Sequence, residues 1–240
     1  MYGRDEYGTF SIVASDVDRG FWGVAVSTMP MAVGAIVPWS EWRVGAIATQ
    51  ALANYSYGPN GLALLRKGLP AERVVERLTR ADPGRDQRQL GIVDRRGRAA
   101  AWTGAKCMAS AVHVVGDGFT CQGNIVASEA VVHRMAAAYE GSRGAIADRM
   151  IRALRAAQRA GGDRRGLSSA AVLVTHREPW FDRSWPDRWV DLRVDEHRRP
   201  VEELARLVGR DADLTRRFLR SARATKLKKA RSRRARAGGA

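Results

Sequence analysis

The chain has little cysteine. Among its 240 residues only Cys107 and Cys121 are cysteines, and a chain of this size with two cysteines does not depend on disulfides for stability. Together with His113 and His133 they lack the paired C-x2–4-C spacing of a zinc site. We therefore predict no metal site. For Cys107, a reactive thiol and a buried, inert side chain both stay open.

Long apolar runs and nucleotide-binding loops are also missing. The longest apolar runs, such as residues 168–175, fall far short of the roughly 20 residues that a membrane-spanning helix needs. The first eight residues carry no apolar stretch behind a basic start, so they do not resemble a signal peptide. No Walker loop or dinucleotide fingerprint occurs. We expect a cytoplasmic protein with no membrane contact and no cofactor.

Basic residues outnumber acidic residues, and half of the excess positive charge lies in the last twenty residues of the chain. The formal net charge is +16, and residues 221–240 hold eight Lys or Arg and no acid. Such a run usually stays solvated, so residues 209–240 are predicted to form a basic helical or disordered tail. The tail could contact nucleic acid weakly and in a salt-dependent way. No interleaved aromatic residues or reading motif indicate specific recognition.

What the sequence does contain is a series of short apolar segments separated by turn residues. Residues 9–15 and 21–27 flank a turn-forming stretch and predict a hairpin whose two faces are both covered. Further strands are predicted at residues 45–50, 89–94, 98–103, 112–115, 119–122, 168–175 and 190–194, and helices at 59–67, 71–81, 128–139, 145–160 and 200–208. Hairpins outnumber βαβ units, which predicts an α+β protein with two mainly antiparallel sheets and helices outside them.

Several motifs occur in an order that resembles one family. They are TFSIVA (9–14), GVAVS (23–27), AVG (32–34), ATQALAN (48–54), YGPNGL (57–62), DPG (82–84), TG (103–104) with Cys107, QGNI (122–125), GGDRRG (161–166) and DRWVDLRVD (187–195). Together they resemble the domain-of-unknown-function family DUF1028, a family similar to the N-terminal-nucleophile (Ntn) hydrolases. The resemblance implies a four-layer αββα sandwich over residues 9–208 and makes residues 1–8 a removable leader.

Thr9 is the catalytic residue that the resemblance implies. A threonine hydroxyl attacks a carbonyl only when a base takes its proton, and in Ntn enzymes the base is the residue's own α-amine, with a pKa near ~7.7–8.0. That amine is free only after the Gly8–Thr9 bond is cut. Glycine before Thr9 would permit a strained backbone for self-cleavage. The alternative is that Thr9 is an ordinary β-branched strand residue.

Ser27 is a second catalytic candidate, on geometric grounds. If the first hairpin turns about Asp18, Thr9 lies opposite Ser27 and the two side chains share a face. A shift of one residue would place Ser27 on the other face. A plain strand-end serine is the alternative.

Asp163 and Ser169 lie at the turn between a predicted helix and the strand at 168–175. The placement of Asp163 resembles that of the aspartate that supports the threonine and its amine in proteasome β-subunits, and Ser169 follows it closely. The alternative for Asp163 is an ion pair with Arg164 or Arg165 in its own turn.

Four side-chain amides at strand ends are candidates for binding a substrate or its oxyanion: Gln50, Asn54, Gln122 and Asn124. Such amides can equally cap turns. Proteasome-type enzymes also place a lysine beside the threonine, but none of the five lysines here lies on the early strands. Activity would therefore rest on the α-amine, Ser27, Asp163 and the amides.

The sequence thus predicts an amidohydrolase that acts on a small amide or peptide, cell-wall peptides among the candidates, with Thr9 as nucleophile. A non-catalytic Ntn fold used for binding or assembly is the alternative, favoured by the unprocessed leader and the missing lysine. Non-specific association with nucleic acid through the tail is a further alternative. Whether the chain forms a homo-oligomer stays open.

Overall fold

Ten strands and five α-helices make up the part of the chain that the computed structural model describes, which is residues 8–108, 110–178 and 187–215. The strands are β1 (Thr9–Asp16), β2 (Phe21–Thr28), β3 (Pro38–Glu41), β4 (Gly45–Ala51), β5 (Arg88–Asp94), β6 (Ala99–Thr103), β7 (Val112–Gly116), β8 (Phe119–Asn124), β9 (Ser169–Thr175) and β10 (Arg188–Val194). The helices are α1 (Tyr57–Arg66), α2 (Ala71–Arg80), α3 (Ala130–Glu140), α4 (Ile146–Arg159) and α5 (200–215).

The strands form two sheets in which every pairing is antiparallel. One sheet has six strands in the order β10-β9-β2-β1-β8-β7, and the other has four in the order β3-β4-β5-β6. Helices α3, α4 and α5 pack on the outer face of the six-stranded sheet, and α1 and α2 pack on the outer face of the four-stranded sheet. This is a four-layer αββα sandwich, so the predicted α+β fold is confirmed.

Successive side chains along the central strands point to opposite faces of the six-stranded sheet, and both faces are packed with apolar side chains. Phe10 and Ile12 of β1 are fully buried against the helices. Val13 of β1 and Val24 of β2 face the other way, into the space between the sheets, where they meet small residues such as Ala46 of β4. Because both faces are covered, these strands carry apolar residues at nearly every position.

The first hairpin pairs in a different register from the predicted one. Thr9 lies opposite Thr28, so the predicted pairing with Ser27 is wrong. The turn has four residues, because Gly20 adopts a φ of 75° and donates its N–H to the Val17 carbonyl at 3.1 Å. This shifts the pairing by one residue, and with a side-chain period of two it moves Ser27 to the other face of the sheet.

Two elements differ from the sequence-based prediction. The apolar pattern does not predict β3, a four-residue edge strand that begins with Pro38. Helix α5 continues to residue 215, past the predicted end at 208. Residues 1–7 of the leader and residues 216–240 of the tail lie outside the described residues. Within the described ranges no helix is long and apolar enough to cross a membrane.

Candidate functional site

Thr9 is the first residue of β1 and lies at one end of the space between the sheets. Its neighbours in the six-stranded sheet are Thr28, at the end of β2, and Asn124, at the end of β8. Thr9 is 5% exposed. Its side chain shares a face with Val13 and is directed toward the four-stranded sheet. We call this end of the sandwich the Thr9 end.

The Thr9 hydroxyl is linked to the peptide bond that precedes it. Thr28 Oγ1 lies 3.1 Å from Thr9 Oγ1 and also donates a hydrogen bond to the Gly8 carbonyl oxygen. A carbonyl oxygen only accepts, so the single hydroxyl proton of Thr28 is committed to Gly8, and Thr9 must be the donor to Thr28. A directed path therefore runs from the Thr9 hydroxyl through Thr28 to the carbonyl of the Gly8–Thr9 bond.

Asp163 and Arg165 hold the same carbonyl from another side. The Asp163 carboxylate accepts hydrogen bonds from Arg165 Nε (3.0 Å), from Arg165 Nη2 (2.7 Å) and from the Met29 N–H (3.2 Å). Arg165 Nη2 also donates to the Gly8 carbonyl oxygen at 3.1 Å. The Asp163 side chain is fully buried, and that of Arg165 is 19% exposed. Asp163 does pair within its own turn, and the pair lies against the residue that precedes Thr9.

Gly8 lies so close to this pair that no side chain fits there. A Cβ added to Gly8 would lie 2.8 Å from both carboxylate oxygens of Asp163 and 2.9 Å from Arg165 Nη2, inside the 3.0 Å that Cβ contacts essentially never cross. Gly8 is not among the residues with positive φ. Glycine is therefore required here by packing against Asp163 and not by a positive φ.

A network of buried side chains lies between Thr9 and the four-stranded sheet. Gln50 of β4 donates through Nε2 to the Thr9 carbonyl (3.3 Å) and to Gln89 Oε1 (2.7 Å). Gln50 also accepts from the Ser11 hydroxyl at 2.5 Å, and Asn124 donates to Gln89 Oε1 at 3.0 Å. Ser11, Gln50, Gln89 and Asn124 are each at most 1% exposed. These bonds join the start of β1 to both sheets.

Gln122, the third predicted amide of this network, reaches it through Ser11, whose hydroxyl accepts from Gln122 Nε2 at 2.7 Å. Gln50, Gln122 and Asn124 therefore lie together with Thr9, as the sequence predicts. Gln89 completes the group, because its Nε2 donates to the Gly123 carbonyl at 2.9 Å.

Ser27 and Ser169 make their hydrogen bonds away from Thr9. Ser27 lies on the helix-facing side of β2 and donates to the Ser169 carbonyl at 2.9 Å. Ser169 donates to the Pro30 carbonyl (2.6 Å) and accepts from the Val33 N–H (3.2 Å). The convergence of Ser27 with Thr9 is therefore wrong. Ser27 joins β2 to the start of β9, and Ser169 anchors the chain that follows β2.

Asn54 belongs to a different polar cluster. It donates to Asp82 Oδ2 at 3.0 Å, and the same oxygen accepts from Tyr57 Oη (2.9 Å) and Arg88 Nε (3.0 Å). Burial alone would raise the pKa of Asp82, but these hydrogen bonds hold it well below its usual range. Burial and the neighbouring Asp82 raise the pKa of Tyr57. This cluster fixes the loops that flank α1 and α2, and none of its hydrogen bonds reaches Thr9.

Cys107 is in an environment that disfavours reactivity. Its thiol donates to the Arg88 carbonyl at 3.2 Å, and burial raises its pKa, whereas reactive cysteines have a lowered one. Cys107 lines a cleft of about 480 Å³ together with Thr103 and His113. Burial lowers the pKa of His113, and its Nδ1 lies 2.8 Å from Thr103 Oγ1. In the described residues, no three His, Cys, Asp or Glu side chains are grouped as metal ligands.

Backbone strain is concentrated at the Thr9 end. Four of the five described non-glycine residues with positive φ lie in loops or at a strand terminus at this end: Ala32 (56°), Ala51 (63°), Ser110 (59°) and Ile125 (51°). The fifth, Arg43, lies in the β3–β4 turn at the opposite end. Such conformations cost of order 1–3 kcal/mol each and cluster at functional sites.

Four residues of the site are missing from the sequence-based candidates: Ser11, Thr28, Gln89 and Arg165. Thr28 follows Ser27 directly, and the length of the turn alone decides which of the two lies opposite Thr9. Arg165 was considered only as a partner for Asp163. Gln89, the second residue of β5, lies directly opposite Gln50 in the four-stranded sheet, and this pairing is the signal that could have found it.

Fold and site together define an αββα-sandwich protein with a buried threonine at the start of a central strand. Within that class the chain belongs to DUF1028, a family of unknown function whose model matches residues 9–204. It is similar to a crystal structure of a Silicibacter pomeroyi protein assigned to DUF1028, with 34% sequence identity, a TM-score of 0.76 and 85% of each chain covered. No curated protein matches the chain.

Proposed function

We propose that this protein is an amidohydrolase in which Thr9 becomes an N-terminal nucleophile when residues 1–8 are removed. The observation that carries the proposal is the hydrogen-bonded path from the Thr9 hydroxyl through Thr28 to the Gly8 carbonyl. A strand threonine with a purely structural role has no need of a path to its own preceding peptide bond. The family match also begins at Thr9.

The path supports removal of the leader by an acyl shift. Thr9 Oγ1 bonds to the Gly8 carbonyl carbon while its proton passes to Thr28 Oγ1, and as negative charge develops on the Gly8 oxygen the Thr28 proton moves to it. The product is a neutral five-membered ring. When the carbon–nitrogen bond breaks, the proton on the Gly8 oxygen moves to the Thr9 nitrogen, and an ester remains. Water then cleaves the ester, which releases residues 1–8 as a carboxylic acid and restores the Thr9 hydroxyl.

The same chemistry applies to an external substrate. The freed α-amine of Thr9 is the base that a threonine hydroxyl needs near neutral pH. Attack on an amide carbonyl gives an ester to Thr9 and releases an amine, and water regenerates the hydroxyl. We assign the substrate to small amides or short peptides, because the group already held beside Thr9 is a peptide carbonyl.

Covalent trapping tests the proposal. A β-lactone is opened by an activated threonine and leaves a stable ester on Oγ1. We expect leader-free protein to be labelled at Thr9, and Thr9→Ser to be labelled as well because it keeps a hydroxyl. Thr9→Val has the same shape without the hydroxyl and should not react. Leader-free wild-type protein that takes up no label, or takes it up equally in Thr9→Val, would contradict the proposal.

A further inference from the structure

We propose that Arg165 is a catalytic residue that holds the acyl oxygen, first of Gly8 during leader removal and then of the amide substrate, with Asp163 as its positioning residue. The assignment rests on the proposed function, because it presupposes attack by Thr9. It also changes the role expected for Asp163, from supporting the Thr9 amine to orienting the guanidinium.

The hydrogen bonds of Arg165 support a role beyond neutralising Asp163. Nε and one N–H of Nη2 satisfy the carboxylate as a fork, at 3.0 and 2.7 Å. The second N–H of Nη2 is left for the Gly8 carbonyl oxygen, at 3.1 Å. A charged donor makes a shorter and stronger hydrogen bond than a neutral one, and its strength increases as negative charge develops on the acyl oxygen during attack.

The guanidinium is held in this orientation before any reaction. The Asp163 side chain is fully buried, and its carboxylate is fixed by the backbone N–H groups of Arg165 (3.0 Å) and Met29 (3.2 Å). Arg165 therefore cannot turn away from Gly8 without leaving a buried carboxylate with no positively charged partner, which is strongly unfavourable. A donor fixed in advance is the arrangement that stabilises an oxyanion at little further cost.

Thr28 is the partner of Arg165 on the same oxygen. In the uncleaved chain Thr28 and Arg165 both donate to the Gly8 carbonyl oxygen. The leader therefore fills the position that the acyl oxygen of a substrate would take. Cutting the Gly8–Thr9 bond releases that oxygen and leaves both donors free. The precursor is therefore unable to bind substrate at this position, and leader removal creates the acyl-oxygen site.

The test is the rate of leader loss in Arg165 variants, followed by intact mass. Removing a single oxyanion donor typically slows a reaction by about 100-fold or more. We expect this slowing in Arg165→Gln, a smaller one in Arg165→Lys, and none in Arg164→Gln, which removes the same charge from the exposed neighbouring residue. Arg165→Ala with added guanidinium ion is the second arm, and restored cleavage is expected because the ion can occupy the vacated position.

The outcomes separate this assignment from the proposed function. Leader loss at the wild-type rate in Arg165→Gln overturns the assignment alone. Slow cleavage in Arg165→Ala that guanidinium does not restore also overturns it, because a structural defect would behave in that way. A wild-type chain that keeps its leader overturns both the assignment and the proposed function.

Discussion

The two ends of the space between the sheets are similarly buried but differ in polarity: the far end is mainly apolar, with a few buried polar groups such as Thr175 and Asp94, and the Thr9 end is mainly polar. At the far end Val13, Trp22 and Val24 are at most 3% exposed and meet apolar neighbours. At the Thr9 end the corresponding positions hold hydroxyls and amides, with Ser11 and Gln50 at most 1% exposed. Burying polar groups is unfavourable unless each is hydrogen bonded. Apolar side chains at the Thr9 end would have stabilised the sandwich without needing hydrogen-bond partners.

The residues that stabilise the fold and the residues that form the candidate site therefore lie at different ends of the sandwich. The far end provides stability, while the Thr9 end carries the hydrogen-bonded hydroxyls, the Asp163–Arg165 pair and most of the strained loops. Substitutions at the far end should therefore change the free energy of unfolding and spare leader removal. Substitutions at the Thr9 end should change leader removal more than stability.

Trp22→Ala tests the far end and should have the largest effect on stability. Trp22 is 3% exposed and donates to the Asp94 carbonyl at 3.0 Å across the sheets. Truncating a buried tryptophan costs about 3–5 kcal/mol. Urea unfolding measures the loss, with exposed Val17→Ala as the control. If the folded variant also removes its leader much more slowly, the separation of the two ends fails.

Gly8→Ala should slow leader removal, with some loss of stability because the packing against Asp163 leaves no room for a side chain. The added methyl would lie 2.8 Å from both Asp163 oxygens, so the carbonyl must shift, and a displacement of about 1 Å can slow a reaction by about 100-fold. Gly209→Ala is a matched control, because no atom lies within 4 Å of a Cβ there. Intact mass against time gives both rates. Equal rates would contradict the close packing of Gly8 on Asp163.

Gln89→Leu should weaken the polar network. Gln89 Oε1 accepts from Gln50 (2.7 Å) and Asn124 (3.0 Å), and removing it leaves buried donors unpaired, at a cost of about 1–3 kcal/mol. Exposed Gln87→Leu is the control. The expected result is a lower free energy of unfolding in Gln89→Leu only. An unchanged value would mean that the network does not stabilise the junction between the sheets.

His113→Gln should have the smallest effect, and one that depends on pH. Burial lowers the pKa of His113, so the unfolded chain binds the proton more readily. The stability that His113 contributes is full above its unfolded pKa of ~6.5 and is lost as the pH falls through the folded value. Wild-type protein should therefore lose more stability than His113→Gln between pH 8 and pH 5. Exposed His133→Gln is the control. If the free energy of unfolding of His113→Gln changes with pH as much as that of wild-type protein, the prediction is wrong.

The αββα sandwich could be predicted from the sequence because the patterns that indicate its strands and helices are local. Hydrophobic alternation, turn residues and helical spacing each act over a few residues, and the predicted hairpin at 89–103 and the helices at 128–160 appear within a few residues of their predicted bounds. The helices also lie on the outer layers, as the covered strand faces required.

The site was predicted less well, because it depends on single-residue register and on distant contacts. The length of one turn decides whether Ser27 or Thr28 faces Thr9. The contact of Arg165 with Gly8 joins residues 157 positions apart, and no spacing rule links them. Gln50, Gln122 and Asn124 were found because strand-end amides are visible in the sequence, whereas Asn54 shares that feature and forms another cluster.

The most direct test of the central claim is the intact mass and N-terminal residue of purified wild-type protein, followed over time beside Thr9→Val. The account predicts that wild-type protein loses residues 1–8 and begins at Thr9, while Thr9→Val stays full length. Wild-type protein that keeps Gly8 joined to Thr9 would contradict it, and amide hydrolysis by that uncleaved protein would show that the activity does not depend on a free Thr9 amine.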